Sequence, residues 1–117
     1  MKKAFYLSTC DTCKRILSQL ELPEDMILQD IKKEHISEDD LEYLHKNTRS
    51  YEILLNKRAQ KYKAEGLKDE NLSEEEIKNY ILSHYTFLKR PIFIYEDNIF
   101  IGNDKNTVDA LKSFFNE

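Results

Sequence analysis

The chain has 117 residues, 40% of them hydrophobic and 34% charged, with only two glycines and two prolines. That length and composition describe a helix-rich globule with one core, expected as a single domain over residues 1–117, rather than a disordered tail. A net charge of −4 without a field of one sign argues against nucleic-acid binding through a basic surface, and no stretch approaches the roughly 18 apolar residues of a membrane span or resembles a secretory leader.

The expected compartment is therefore the cytoplasm. There, a close pair of cysteines is more often catalytic, redox-sensing or metal-binding than a structural staple. The only two, Cys10 and Cys13, sit in Ser8-Thr9-Cys10-Asp11-Thr12-Cys13-Lys14-Arg15, after an apolar run read as a strand from Lys3 to Leu7. A helix beginning near Asp11 would place Cys10 at its first turn, where unpaired N–H groups and the helix dipole favour a thiolate. Ile16, Leu17 and Leu20 follow Cys13 at spacings of three, four and seven, which sets Cys13 on the buried stripe. Cys10 is thus the expected nucleophile and Cys13 the sheltered partner that resolves its adducts.

Pro23 ends this first helical region, and Met26 to Ile31 reads as a second strand, parallel to the first because a helix connects them. Ser37 is a candidate N-cap, with Ile36 and Leu41 as a hydrophobic staple and Leu44 continuing the buried face. Ser73-Glu74-Glu75-Glu76 forms a capping box with Leu72 and Ile77 as its staple, after which Ile77, Tyr80, Ile81 and His84 are expected on one side. Pro91 to Tyr95 and Asn98 to Ile101 flank Glu96-Asp97 as an antiparallel hairpin. Gly102 ends it, Asn103 or Asp104 caps a last helix, and Val108, Leu111, Phe114 and Phe115 form that helix's apolar stripe. The order of strand, helix, strand, helices, hairpin and helix predicts an α/β protein with a thioredoxin-like fold: a four-stranded mixed sheet with an inserted helical segment over about 37–88.

Several motifs carry a family resemblance. Ser8-Thr9-Cys10-Asp11-Thr12-Cys13, Glu52-Ile53-Leu54-Leu55-Asn56-Lys57, and Leu88-Lys89-Arg90-Pro91-Ile92 followed by Ile101-Gly102-Asn103 resemble the ArsC/Spx family along essentially the whole chain. That family contains glutaredoxin-coupled arsenate reductases and Spx regulators that bind RNA polymerase. The resemblance implies that Cys10 is the nucleophile, Arg90 the anion-binding arginine, and Pro91 a cis-proline opposite the cysteine loop. Of the three arginines that family arsenate reductases place around the cysteine, Arg90 matches one; the other positions fall on Asn56 and on or beside Gly102. The second cysteine resembles the Spx-type C-x-x-C, whereas Asn47-Thr48-Arg49 stands where Spx regulators carry a glycine.

These residue types suit thiol redox chemistry. A thiolate attacking a disulfide or oxyanion needs nearby positive charge, and a guanidinium such as Arg90 offers planar bidentate hydrogen bonds. Thr9 and Thr12 are candidates to hydrogen-bond the Cys10 sulfur or an anion, although N-capping accounts equally well for Thr9. Asn56 is the remaining anion-binding candidate. Blander readings stand beside these: two inert buried thiols, a surface ion pair for Arg90, and solvated charges for Lys14 and Arg15. One C-x-x-C with only His35, His45 and His84 elsewhere provides no second spaced ligand pair, so no metal is expected. His84 reads as a helix-closing residue rather than a base. The expected activity is thiol–disulfide exchange, arsenate reductase-like, with no bound cofactor and with glutathione, glutaredoxin or thioredoxin as reductant. The alternative is an Spx-like redox-switched regulator with a protein partner such as RNA polymerase.

Overall fold

Four short strands rich in β-branched and aromatic residues form one mixed sheet: β1 (Lys2–Tyr6), β2 (Ile27–Asp30), β3 (Ile92–Tyr95) and β4 (Asn98–Ile101), in the order β2-β1-β3-β4. In this computed structural model, which describes residues 1–117, β1 and β2 are parallel, with Tyr6 opposite Asp30. β3 is antiparallel to β1 and to β4. The parallel pair follows from the helical crossover and the antiparallel pair from the two-residue turn, where Glu96 adopts φ 55°. β1 is shifted one residue toward the N-terminus of the expected Lys3–Leu7 run, and β2 is shorter than Met26–Ile31 by one residue at each end; Leu7, Met26 and Ile31 are buried outside the strands.

The chain divides into two compact units. The sheet unit is built from both chain ends, Met1–Glu34 and Arg90–Glu117. Helices α1 (Asp11–Ser18) and α5 (Lys105–Phe115) belong to it. Ile16 from α1 and Leu111 and Phe115 from α5 close over Ala4, Met26 and Phe93 in one apolar cluster. The rings of Phe93 and Phe115 lie 5.9 Å apart. Asp104 caps α5 by accepting from the Thr107 N–H at 3.2 Å. Phe114, expected on the buried stripe, is instead 39% exposed, and its ring packs at the rim against Phe100 and Tyr95. Two adjacent aromatic residues on a helix point about 100° apart, so only Phe115 reaches the core.

The helical unit, His35–Lys89, contains α2 (Glu38–Thr48), α3 (Gln60–Ala64) and α4 (Glu74–Ser83), with 3-10 turns at Glu52–Leu54, Leu67–Asp69 and Tyr85–Phe87. Ser37 caps α2 through the Asp40 N–H, and Ser73 and Glu76 complete the capping box of α4. α4 ends one residue earlier than the periodicity suggests. His84 is extended and accepts from the Thr86 N–H through Nδ1, capping the next turn rather than lining the helix. Leu41, Leu44, Leu54, Leu67, Ile77, Ile81, Phe87 and Leu88 are buried here. No helix in the chain is long and apolar enough to cross a membrane.

Candidate active site

The turn between β1 and α1 decides where the sulfurs lie. After Tyr6, whose carbonyl accepts the Ile31 N–H at 2.9 Å, the chain folds back so that the Cys10 N–H donates to the Leu7 carbonyl at 3.0 Å. Cys10 becomes the N-cap of α1, with extended φ −98° and ψ 113°. Its carbonyl accepts the Lys14 N–H at 3.1 Å. A serine or aspartate is the usual N-cap because its oxygen satisfies the open N–H groups. Here the position is occupied by a sulfur that closes no capping hydrogen bond, which leaves it available for chemistry. Thr9 therefore precedes the cap instead of forming it, and is exposed.

The two thiols, both reduced, occupy different surroundings. Cys10 is half-buried and Cys13 fully buried. Burial alone would push the Cys10 thiol up, but it is outweighed by the Cys13 backbone and thiol, the Thr12 backbone and the Arg90 charge, which together lower it below the ordinary thiol range. Cys13 moves the other way. Burial first, and then the charge and hydrogen bonding of Cys10, push it up to about 11 against the pull of the Leu7 backbone and Arg90. The two sulfurs are thus displaced in opposite directions by their surroundings, Cys10 downward and Cys13 upward.

Arg90 and Pro91 lead into β3. The Arg90–Pro91 peptide bond is cis. Pro91 is buried and its carbonyl accepts the Gly102 N–H at 2.9 Å. Arg90 is half-buried, and its charge acts on both sulfurs, so Cys10, Cys13 and Arg90 form one electrostatic cluster. Thr12 joins it through its backbone. Asn56 belongs to the helical unit. There its N–H donates to the Phe87 carbonyl at 2.7 Å, its Nδ2 to the Thr86 carbonyl at 3.3 Å, and its Oδ1 accepts the Arg58 N–H at 3.1 Å. Arg49, in the segment where Spx regulators carry glycine, ends α2 in the left-handed region at φ 62°. No group of three or more His, Cys, Asp or Glu side chains is arranged to hold a metal ion.

Sequence reasoning placed Asp30 in a strand and assigned it no role. In the structure it is buried at the end of β2, and its Oδ1 accepts the Ser8 and Lys32 N–H groups, each at 3.2 Å. The available signal was a carboxylate embedded in the apolar run Met26-Ile27-Leu28-Gln29-Asp30-Ile31, where an unpaired charge would be costly.

A sequence profile of the ArsC family matches residues 5–111. Among solved structures, a possible arsenate reductase from Streptococcus mutans is 30% identical, with a TM-score of 0.70 over 85% of this chain and 87% of its own. An arsenate reductase (ArsC) related protein from Brucella melitensis is 22% identical, with a TM-score of 0.70 over 93% and 92%. An arsenate reductase from Vibrio cholerae is 14% identical, with a TM-score of 0.73 over 96% and 97%. The last two likenesses concern the fold. No protein of curated function matches the chain.

Proposed function

This chain belongs to the ArsC family, and we propose that within it the chain is a thiol–disulfide oxidoreductase that uses Cys10 as nucleophile and Cys13 as resolving thiol. The observation that carries this reading is the opposed displacement of the two sulfurs, Cys10 lowered and Cys13 raised to about 11. The Cys10 thiolate attacks one sulfur of a substrate disulfide. The old S–S bond breaks, its other sulfur leaves as a thiolate that takes up a proton, and Cys10 is left in a mixed disulfide. The attack discharges Cys10, whose negative charge had helped hold the proton on Cys13. Cys13 can then lose its proton, attack the Cys10 sulfur and expel the second substrate thiol. The substrate has gained two electrons and the enzyme holds a Cys10–Cys13 disulfide. A thiol donor of the glutathione, glutaredoxin or thioredoxin class returns the two electrons.

Arg90 stabilises the thiolate before attack and the charge that develops during it. An oxyanion such as arsenate could enter by the same attack, with sulfur bonding to arsenic and an oxygen leaving as water, and the S. mutans relative motivates testing it. The deciding experiment follows reduction of a glutathione mixed disulfide, and separately of arsenate with glutathione and glutaredoxin. Disulfide turnover should disappear in Cys10→Ser with the fold retained, and Cys13→Ser should accumulate a Cys10 adduct visible by mass. Turnover that survives Cys10→Ser, or oxidation that never links the two cysteines, overturns the assignment.

A further inference from the structure

Beyond the last β1–β2 rung, the backbone of Ser8 has no strand partner, and a side chain takes over. The Asp30 Oδ1 accepts the Ser8 N–H across the end of the sheet while also accepting the Lys32 N–H on its own segment. The other carboxylate oxygen, Oδ2, is buried without a hydrogen bond. The Ser8 side chain first, and then the Ser8 and Lys32 backbones, hold the Asp30 carboxyl below its ordinary value against burial, so Ser8 is its main anchor even though a buried oxygen left unbonded is costly. Such local costs persist where a site needs them.

What this contact holds is the start of the cysteine turn. Ser8 follows Leu7, whose carbonyl receives the Cys10 N–H at 3.0 Å and whose backbone acts on the Cys13 thiol, lowering it against burial. Anchoring the Ser8 peptide therefore constrains the residue that touches both halves of the dithiol. We propose that Asp30 is a positioning residue for this pair: by holding Ser8, it keeps Cys10 at the helix start and Cys13 against Leu7. Asp30 touches neither sulfur in this role and takes no proton from them; it sets the geometry on which their ionisation depends. The inference deepens the oxidoreductase reading and rests on it.

The test compares the pH profile of Cys10 alkylation by iodoacetamide in wild type, Asp30→Ala and Asp30→Asn, with the modified site mapped by mass. Asparagine keeps an acceptor for the Ser8 and Lys32 N–H groups, so Asp30→Asn should stay near the wild-type profile. Asp30→Ala should move its midpoint upward by about one pH unit, which lowers the rate at pH 7 about tenfold. Hydrogen exchange provides a second measurement that does not depend on a folded alanine variant. The Ser8 amide should be protected in wild type and in Asp30→Asn. Fast exchange of that amide in wild type, or a folded Asp30→Ala with an unchanged profile, overturns the role of Asp30. An ordinary alkylation profile in wild type would instead count against the exchange function itself, so the two failures are distinct.

Discussion

At the scale of single residues, the chemistry turns on a sulfur occupying a position that usually carries an oxygen. Cys10 stands at the N-cap with a sulfur in place of the usual oxygen, and the Cys13 and Thr12 backbones of the first turn lower its thiol. Arg90 adds the nearby positive charge. Replacing Arg90 by Met should therefore raise the Cys10 midpoint in an alkylation profile and slow alkylation at pH 7. Arg90→Lys should recover part of the loss, since the charge returns without the planar fork. The placement of Cys10 at the start of α1 and of Cys13 on its buried side was legible from helix periodicity, and the cis bond before Pro91 from the family resemblance. Asp30 was not, because its role depends on a strand end meeting a loop 22 residues earlier, a pairing that no local pattern encodes.

Among the elements, the helix starts were the most legible features. Ser37, Ser73 and Asp104 each cap as their side chains predict, because capping is settled within four residues. Ser73→Ala should cost about 1 kcal/mol, read as a lower urea midpoint with unchanged slope. Helix ends were less legible. His84 leaves α4 for an extended conformation, and Arg49 closes α2 with φ 62°, a conformation that strains any residue with a Cβ. Arg49→Gly should therefore stabilise the protein by up to about 1 kcal/mol, the left-handed cost offset in part by glycine's greater freedom when unfolded. Phe114 and Phe115 illustrate the limit of an apolar pattern. The pattern marks both, but only the geometry of α5 against the sheet decides which one is buried.

At the scale of the whole molecule, the sheet unit is built from the two ends of the chain and the helical unit from its middle. Its integrity depends on α5 returning to strands formed about a hundred residues earlier. Asn116 fastens this closure, accepting the Glu21 N–H at 2.7 Å and donating to the Gln19 carbonyl at 2.8 Å. Leu111→Ala, at a fully buried position, should cost about 2–5 kcal/mol in denaturant unfolding. The raised Cys13 thiol predicts a pH dependence with a definite sign. Its folded value of about 11 lies above the ordinary 9.0, so the folded state binds the proton more tightly. The contribution is fully present below about pH 9 and is lost as pH rises toward 11. Thermal melts of the reduced protein should fall across that window, and the Cys13→Ala variant should lose that component of the decline.

What the sequence determined by itself was local: the strands and the longer helices, though not the short α3 or the 3-10 turns, where those helices begin, and which of two cysteines sits deeper. These follow from periodicity and from hydrogen-bond donors within a few residues of their acceptors. The tertiary structure decided what depends on chain segments meeting: the strand order β2-β1-β3-β4, the arrival of Arg90 within electrostatic reach of both sulfurs, and the grip of Asp30 on Ser8. Cys13 and Thr12, inside the sequence window of Cys10, lower its thiol first; Arg90 adds to this from a distant part of the chain, because charge acts through space.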